Sequence, residues 1–407
     1  MSTIAVLGTF DTKGVEHAFA AECIRERGHG VLTIDAGGMG AAQCSADISA
    51  DALAAEGGVD LGALRARGDR GAMVEAMAGA AAVVVSRLAA EGRIAGVLSL
   101  GGSGGTAIAT QAMRALPLGM PKVMVSTVAS GNVAPYLGEK DIVMLPSIVD
   151  VAGLNGFARG VYRRAAWAIC AMVEAAAVTE SAAKPLVVAS MFGNTTACVE
   201  RARQRLESEG YEVLVFHATG AGGRAMEALI GSGVVAGVLD VTTTEWADEL
   251  VGGVLTAGPA RLEGAASHGV PAIVTPGCLD MVNFGTPDSI PAKFAGRTFY
   301  RHNPQVTLMR TTPEECAELG RIIAEKVNLS TAPVTVLIPL RAISVVSEAG
   351  QPFHDPSADR ALFDGLRRHL RPDIPVIELD ATINDARFAD ACATALLENM
   401  RKPVEVR

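Results

Sequence analysis

The sequence predicts an α/β protein of two Rossmann-like domains with mainly parallel sheets. Three observations lead there. Short runs rich in Val, Ile and Leu alternate with Ala-rich stretches of helical length along the chain. Glycine-rich or polar turns stand where the runs give way to those stretches. The pattern of the first half also recurs in the second, as expected of an internal duplication. Strands joined through helices lie parallel and are covered on both faces, so they read as continuous apolar runs. With 407 residues, 49% hydrophobic and 19% charged, the chain has material for two such cores.

The first unit opens with strand IAVLG (4–8), the turn TFDTKG, helix VEHAFAAECIRERG and strand VLTID (31–35). After a Gly-rich loop comes a helix from about Arg70 to Glu91, then strand AGVLSL (95–100). GGSGGT, another helix and strand KVMVST (122–127) follow. The helix RGVYRRAAWAICAMVEAAA leads into the polar linker TESAAKP, which places the domain boundary between residues 182 and 183, giving domains 1–182 and 183–407. The second unit begins with strand LVVASMF (186–192), GNTT and helix ACVERARQRLESEG. Strands YEVLVFH (211–217), VAGVLDV (235–241) and PAIVTPG (271–277) come next. The stretch from there to about Asn303 reads as a loop. Strand QVTLMR, helix PEECAELGRIIAEKVN, strand VTVLIPL, helix ADRALFDGLRRHL, strand PVIELD and a last helix complete the chain. The duplication is read from IAGVLSLGGSGG against VAGVLDVTTTE, and from ERGHGVLTID against SEGYEVLVFH.

Composition narrows the partners. The net charge is −9 and basic residues are scattered, so nucleic acid is not an expected partner. The sequence enters its first strand without a basic and apolar leader, and no stretch reads as a membrane span. The seven cysteines are dispersed and never in C-x-x-C spacing, which is read as reduced thiols in a cytoplasmic protein.

Ligands of open parallel sheets bind at the carboxyl ends of strands, so the loops there carry the candidate site. GTFDTKG (8–14) offers Gly8, Thr9, Asp11, Thr12 and Lys13: hydroxyls and an ammonium for phosphate oxygens, and Asp11 either as a helix cap or as a ligand to Mg2+. In GGSGGT, Gly101, Gly102, Ser103, Gly104, Gly105 and Thr106 leave backbone N–H groups bare before a helix, a form suited to anions. Asp35 ends the second strand, where an acidic residue takes ribose hydroxyls or caps a turn. Ser126 and Thr127 open a further polar turn. In the second half, Asn194, Thr195, Asp240, Glu245, Asn283, Arg301 and His302 are the candidates for a substrate pocket, with Asp280 and His302 as candidate catalytic groups.

Taken together, GTFDTKG, GGSGGT, STVASGN, AGPARLEGAA, PGCLDMVNFG and HNPQVTLMRTT make the chain resemble a bacterial and plant family. That family is related to the N-terminal nucleotide-binding domain of the tomato mosaic virus resistance protein. The resemblance implies two Rossmann-like subdomains, ATP with magnesium at the first of them, and homo-oligomers. It points to Gly8–Gly14 and Gly101–Thr106 as the nucleotide-contacting loops, and it implies no reaction. The expectation is an ATP-binding protein using Mg-ATP on a small carboxylate-bearing metabolite held between the halves. Whether the chain is an enzyme stays open against two alternatives, a non-catalytic nucleotide sensor and a small oxo-acid hydrolase or lyase whose glycine loops hold substrate anions.

Overall fold

The computed structural model describes residues 2–176 and 184–402. Its contacts divide into two compact units. The expected boundary at 182/183 lies outside the described residues.

In the first unit, β1 (Thr3–Gly8) leads into α1 (Phe10–Arg25) and β2 (Gly30–Asp35). Helices α2 (Ala50–Glu56), α3 (Leu61–Arg67) and α4 (Arg70–Ala90) precede β3 (Gly96–Gly101) and α5 (Ser103–Arg114). Then come β4 (Lys122–Ser126), α6 (Ala134–Leu137), β5 (Val143–Pro146) and α7 (Gly156–Ala176). The sheet runs β2-β1-β3-β4-β5 and every neighbouring pair is parallel. Alternation along β1 makes both faces: Ala5 and Leu7 join α4 and α5, while Ile4 and Val6 join α1 and α7. Among the described residues, α4 is the one helix long and apolar enough to cross a membrane. Its Met73, Met77, Ala81, Val84 and Leu88 are buried against the sheet, which explains that apolarity as core.

The second unit repeats the order. β6 (Leu186–Met191), α8 (Thr196–Ser208), β7 (Glu212–His217), α9 (Ala221–Ile230) and β8 (Val235–Thr242) form its first half. α10 (Glu245–Val251), α11 (Gly264–Ser267) and β9 (Ala272–Gly277) follow. The sheet closes with β13 (Val334–Pro339), α13 (Pro356–His369), β14 (Val376–Leu379) and α14 (Ala386–Arg401), after the insertion described next. All pairs in β14-β13-β9-β8-β6-β7 are parallel. Counted from β6, this is the order of the first sheet with one more strand at its edge.

The stretch read as a loop up to Asn303 holds β10 (Met281–Phe284) and β11 (Phe299–Asn303). Both pair antiparallel with β12 (Val306–Arg310), which leads into α12 (Pro313–Asn328). Strands of four and five residues among Pro and Gly carry too little periodicity to be told from a loop.

Candidate functional site

The strand order reverses about β1 and β3, and in open parallel sheets the loops leaving the carboxyl ends of such a pair part to form the ligand crevice. Both glycine motifs sit there. From Gly8 the chain passes through Thr9 directly into α1, five residues earlier than the sequence suggests. At Lys13 the helix is interrupted (φ −133°, ψ 22°). His17 sits where that break matters: its Nδ1 lies 2.7 Å from the Lys13 carbonyl oxygen. A carbonyl only accepts, so Nδ1 is the donor. Nε2 then accepts from the Leu100 N–H at 3.2 Å, at the end of β3. Burial pushes the imidazole down to about 4, and it is neutral at pH 7. Gly8 makes room for the ring, since a Cβ there would stand 2.0 Å from Nε2. His17 escaped the sequence reading because a lone histidine on a helix has no spacing that marks it.

The two aspartates serve backbone amides. Asp35 Oδ1 accepts from the N–H groups of Phe10 (2.9 Å) and Gly37 (2.8 Å). The residue is buried, and that burial raises its pKa against the pull of those two amides. It therefore shapes the loop, and the structure does not present it as an exposed ribose ligand. Asp11 Oδ2 accepts from Met39 (3.0 Å) and Gly40 (3.2 Å), whereas its Oδ1 is buried with no partner among the described residues. The cap position of α1 belongs to Thr9, whose hydroxyl lies 3.0 Å from that of the exposed Thr12. No described residue lies within bonding distance of the Lys13 ammonium.

GGSGGT is less a loop than a helix start. Gly102 is the N-cap of α5 and Ser103, Gly104 and Gly105 form its first turn. The first amide to find a helical partner is that of Thr106, bonded to Gly102 O at 2.8 Å. No side chain caps this end, so the N–H groups of Ser103, Gly104 and Gly105 keep the unpaired state of a helix N-terminus. Gly101 allows that turn to lie on the strand end: a Cβ there would be 3.1 Å from Gly105 Cα. Thr106 and Ser126 are fully buried and bonded to each other (2.6 Å), so their hydroxyls join α5 to β4. Thr127 remains half-exposed beside Gly102, its amide bonded to Gly101 O.

In the second unit the corresponding place, between β6 and β8, is filled. Thr195 and Thr242 are fully buried with hydroxyls 2.7 Å apart. Ser190 Oγ donates to Asp240 Oδ1 and accepts from the Thr242 amide. Asp240 and Glu245 are taken by Arg261, a fully buried guanidinium that also reaches Glu227. Asn194 is buried against Met281, and its carbonyl accepts from Asn384. Asn283 donates to Asp248 at 2.7 Å. Arg301 and His302 are exposed on β11. Asp280 is fully buried, accepts from Ser344 Oγ at 2.6 Å, and burial raises its pKa. The residues expected to line one pocket are thus spread over separate internal contacts and an exposed strand. No hydrogen bond joins Asp280 to His302. Arg261 and Glu227, which organise this region, were not anticipated, because their pairing links positions far apart in sequence.

Residues 2–178 match the N-terminal domain, and residues 184–400 the C-terminal domain, of the family described as uncharacterised protein family UPF0261. The chain belongs to this family. A UPF0261 protein of Clostridium tetani is 48% identical over 98% of the chain and 99% of its own length. A second UPF0261 protein, from Rhizobium meliloti, is 47% identical over 97% of the chain and 98% of its own length. The ToMV resistance protein Tm-1(GCR237) of Solanum lycopersicum is 42% identical over 81% of the chain, which spans 45% of that longer protein. The resemblance read from the motifs is therefore correct.

Proposed function

We propose that the first unit of this UPF0261 protein binds the phosphate chain of a nucleotide, ATP as its magnesium complex, in the crevice between β1 and β3. One observation carries the reading: an uncapped helix N-terminus with three unpaired amides stands at the point where the strand order reverses. Helix amides and the helix dipole favour an anion there by about 0.3–1 kcal/mol for an exposed charge, and more when it is partly buried. Lys13, at the break in the first turn of α1 after the neighbouring strand, supplies the compensating charge.

Magnesium fits this arrangement through the unpartnered Asp11 Oδ1. Among the described residues no cluster of three metal-ligating side chains exists. That suits Mg2+, which keeps several waters and is held by one or two carboxylates together with substrate phosphates. The reading stops at binding. The acidic and amide groups expected to receive a second reactant, Asp240, Glu245 and Asn283, are engaged with Arg261 and Asp248.

Titration calorimetry with ATP, ADP, AMP, adenosine and inorganic triphosphate, each with and without Mg2+, tests the proposal. The expected ranking has triphosphates tightest and AMP weakest, because the contacts are to phosphate. Binding of adenosine alone as tightly as ATP, or no binding by any of them, overturns it.

A further inference from the structure

We propose that His17 is a positioning residue for the first crevice, a neutral bridge that holds the Lys13 break of α1 and the end of β3 in one fixed arrangement. The inference rests on the phosphate-binding reading above. Three independent features meet at this ring. At the α1 break His17 Nδ1 reaches the Lys13 carbonyl oxygen at 2.7 Å. The opposite ring nitrogen accepts the Leu100 amide at 3.2 Å, one residue before Gly101. Gly8 has no side chain in the volume that the ring occupies.

A single imidazole therefore touches all three pieces of the crevice: the end of β1, the Lys13 break and the strand leading to the glycine turn. Packing alone would not need both nitrogens. Phe10 already packs against the ring at 5.3 Å between centroids, and an apolar side chain would fill the same space. What only a neutral imidazole does here is donate on one side and accept on the other. Glu16 and Lys13 are the charged groups that act on it, with opposite signs. Fixing the Lys13 backbone in advance removes part of the ordering cost of that segment on binding.

Two measurements test this. In the wild-type protein, nitrogen-15 spectra of the histidine rings should show His17 as the Nδ1–H tautomer; the Nε2–H tautomer would overturn the bridge without any variant being made. The second is a double-mutant cycle read as the Kd for Mg-ATP. His17→Leu should weaken binding tenfold or more in the Lys13 background and by clearly less once Lys13→Ala is present, because part of its effect runs through Lys13 and part through the Leu100 amide. His17→Asn, whose amide stands where Nδ1 stands, should recover part of the loss. Equal losses in both backgrounds, or none, overturn the positioning role while leaving nucleotide binding intact. A wild-type protein that binds no Mg-ATP overturns the phosphate-binding reading itself, and this role with it.

Discussion

The hydroxyls of Thr195 and Thr242 lie 2.7 Å apart, fully buried, at the reversal point of the second sheet. In the first sheet Gly101, at the end of β3, takes the place that Thr242 has at the end of β8. Two sheets of one strand order have thus diverged at this point: a buried hydroxyl bonded to its neighbour ends the strand in the second, bare backbone in the first. The expected consequence is one nucleotide per chain. Calorimetry should return a stoichiometry near one, and saturable binding of two nucleotides per chain would contradict this account of the second crevice.

Gly102 offers a sharp test because it is an N-cap without a capping side chain. A Cβ at this position meets nothing closer than Thr127 Oγ1 at 3.7 Å, so Gly102→Ser fits without strain. Serine is a preferred N-cap, and its hydroxyl would accept from the amides of Gly104 or Gly105. The unliganded protein should gain a few tenths of a kcal/mol. Affinity for Mg-ATP should fall at least tenfold, about 1.4 kcal/mol, because the same amides are then spoken for. Urea unfolding and calorimetry on one preparation read both effects. Improved capping with unchanged affinity would remove α5 from the site.

Much of the fold was legible because its cause is local. Ile4 to Leu7, and Val97 with Leu98, put apolar side chains on both faces, as strands sandwiched between helices must. The glycines of GGSGGT also marked the right place, but their low helix propensity disguised the first turn of α5 as a loop. The side-chain assignments suffered most. Asp35, Asp240 and Glu245 look like ligands in sequence, whereas their partners are the Phe10 and Gly37 amides and Arg261, fixed by tertiary contact. His17 was invisible for the converse reason, since both of its bonds depend on a helix break and a neighbouring strand.

Arg261 should be the main stabilising cation of the second unit. Its Nη1 and Nη2 meet the two Asp240 oxygens at 2.6 and 2.7 Å, and its Nε meets Glu245 at 2.7 Å. Arg261→Met would strand these carboxylates and Glu227 in a buried setting. Removing one partner of a buried pair typically costs about 3–5 kcal/mol. Trp246 reports on the region directly, because its indole N–H donates to the Arg261 carbonyl at 3.2 Å. In a Trp167→Phe background, Trp246 is the remaining tryptophan. Its fluorescence should show a much lower urea midpoint for Arg261→Met; a loss below about 1 kcal/mol would mean that the network contributes little net stability.

Asp248 gives the second unit a pH dependence with a definite sign. Burial pushes its carboxyl up to about 7, and Glu245 adds to the shift, against bonds from Asn283 and the Leu255 amide that pull it down. Its ordinary value is 3.8. Between those two values the folded protein holds a proton that the unfolded chain has released. This contribution is fully present below about 4, shrinks as pH rises to about 7, and is gone above that. Asp248→Asn removes the ionisation. Turning over the Asn283 amide then gives its unpartnered Oδ1 a donor. The variant should match the wild type near pH 4.5 and exceed it at pH 8, by an amount on the order of a few kcal/mol. Urea midpoints from pH 4.5 to 8, followed through Trp246, decide the matter. A difference that does not change with pH would show that Asp248 stays ionised in the fold.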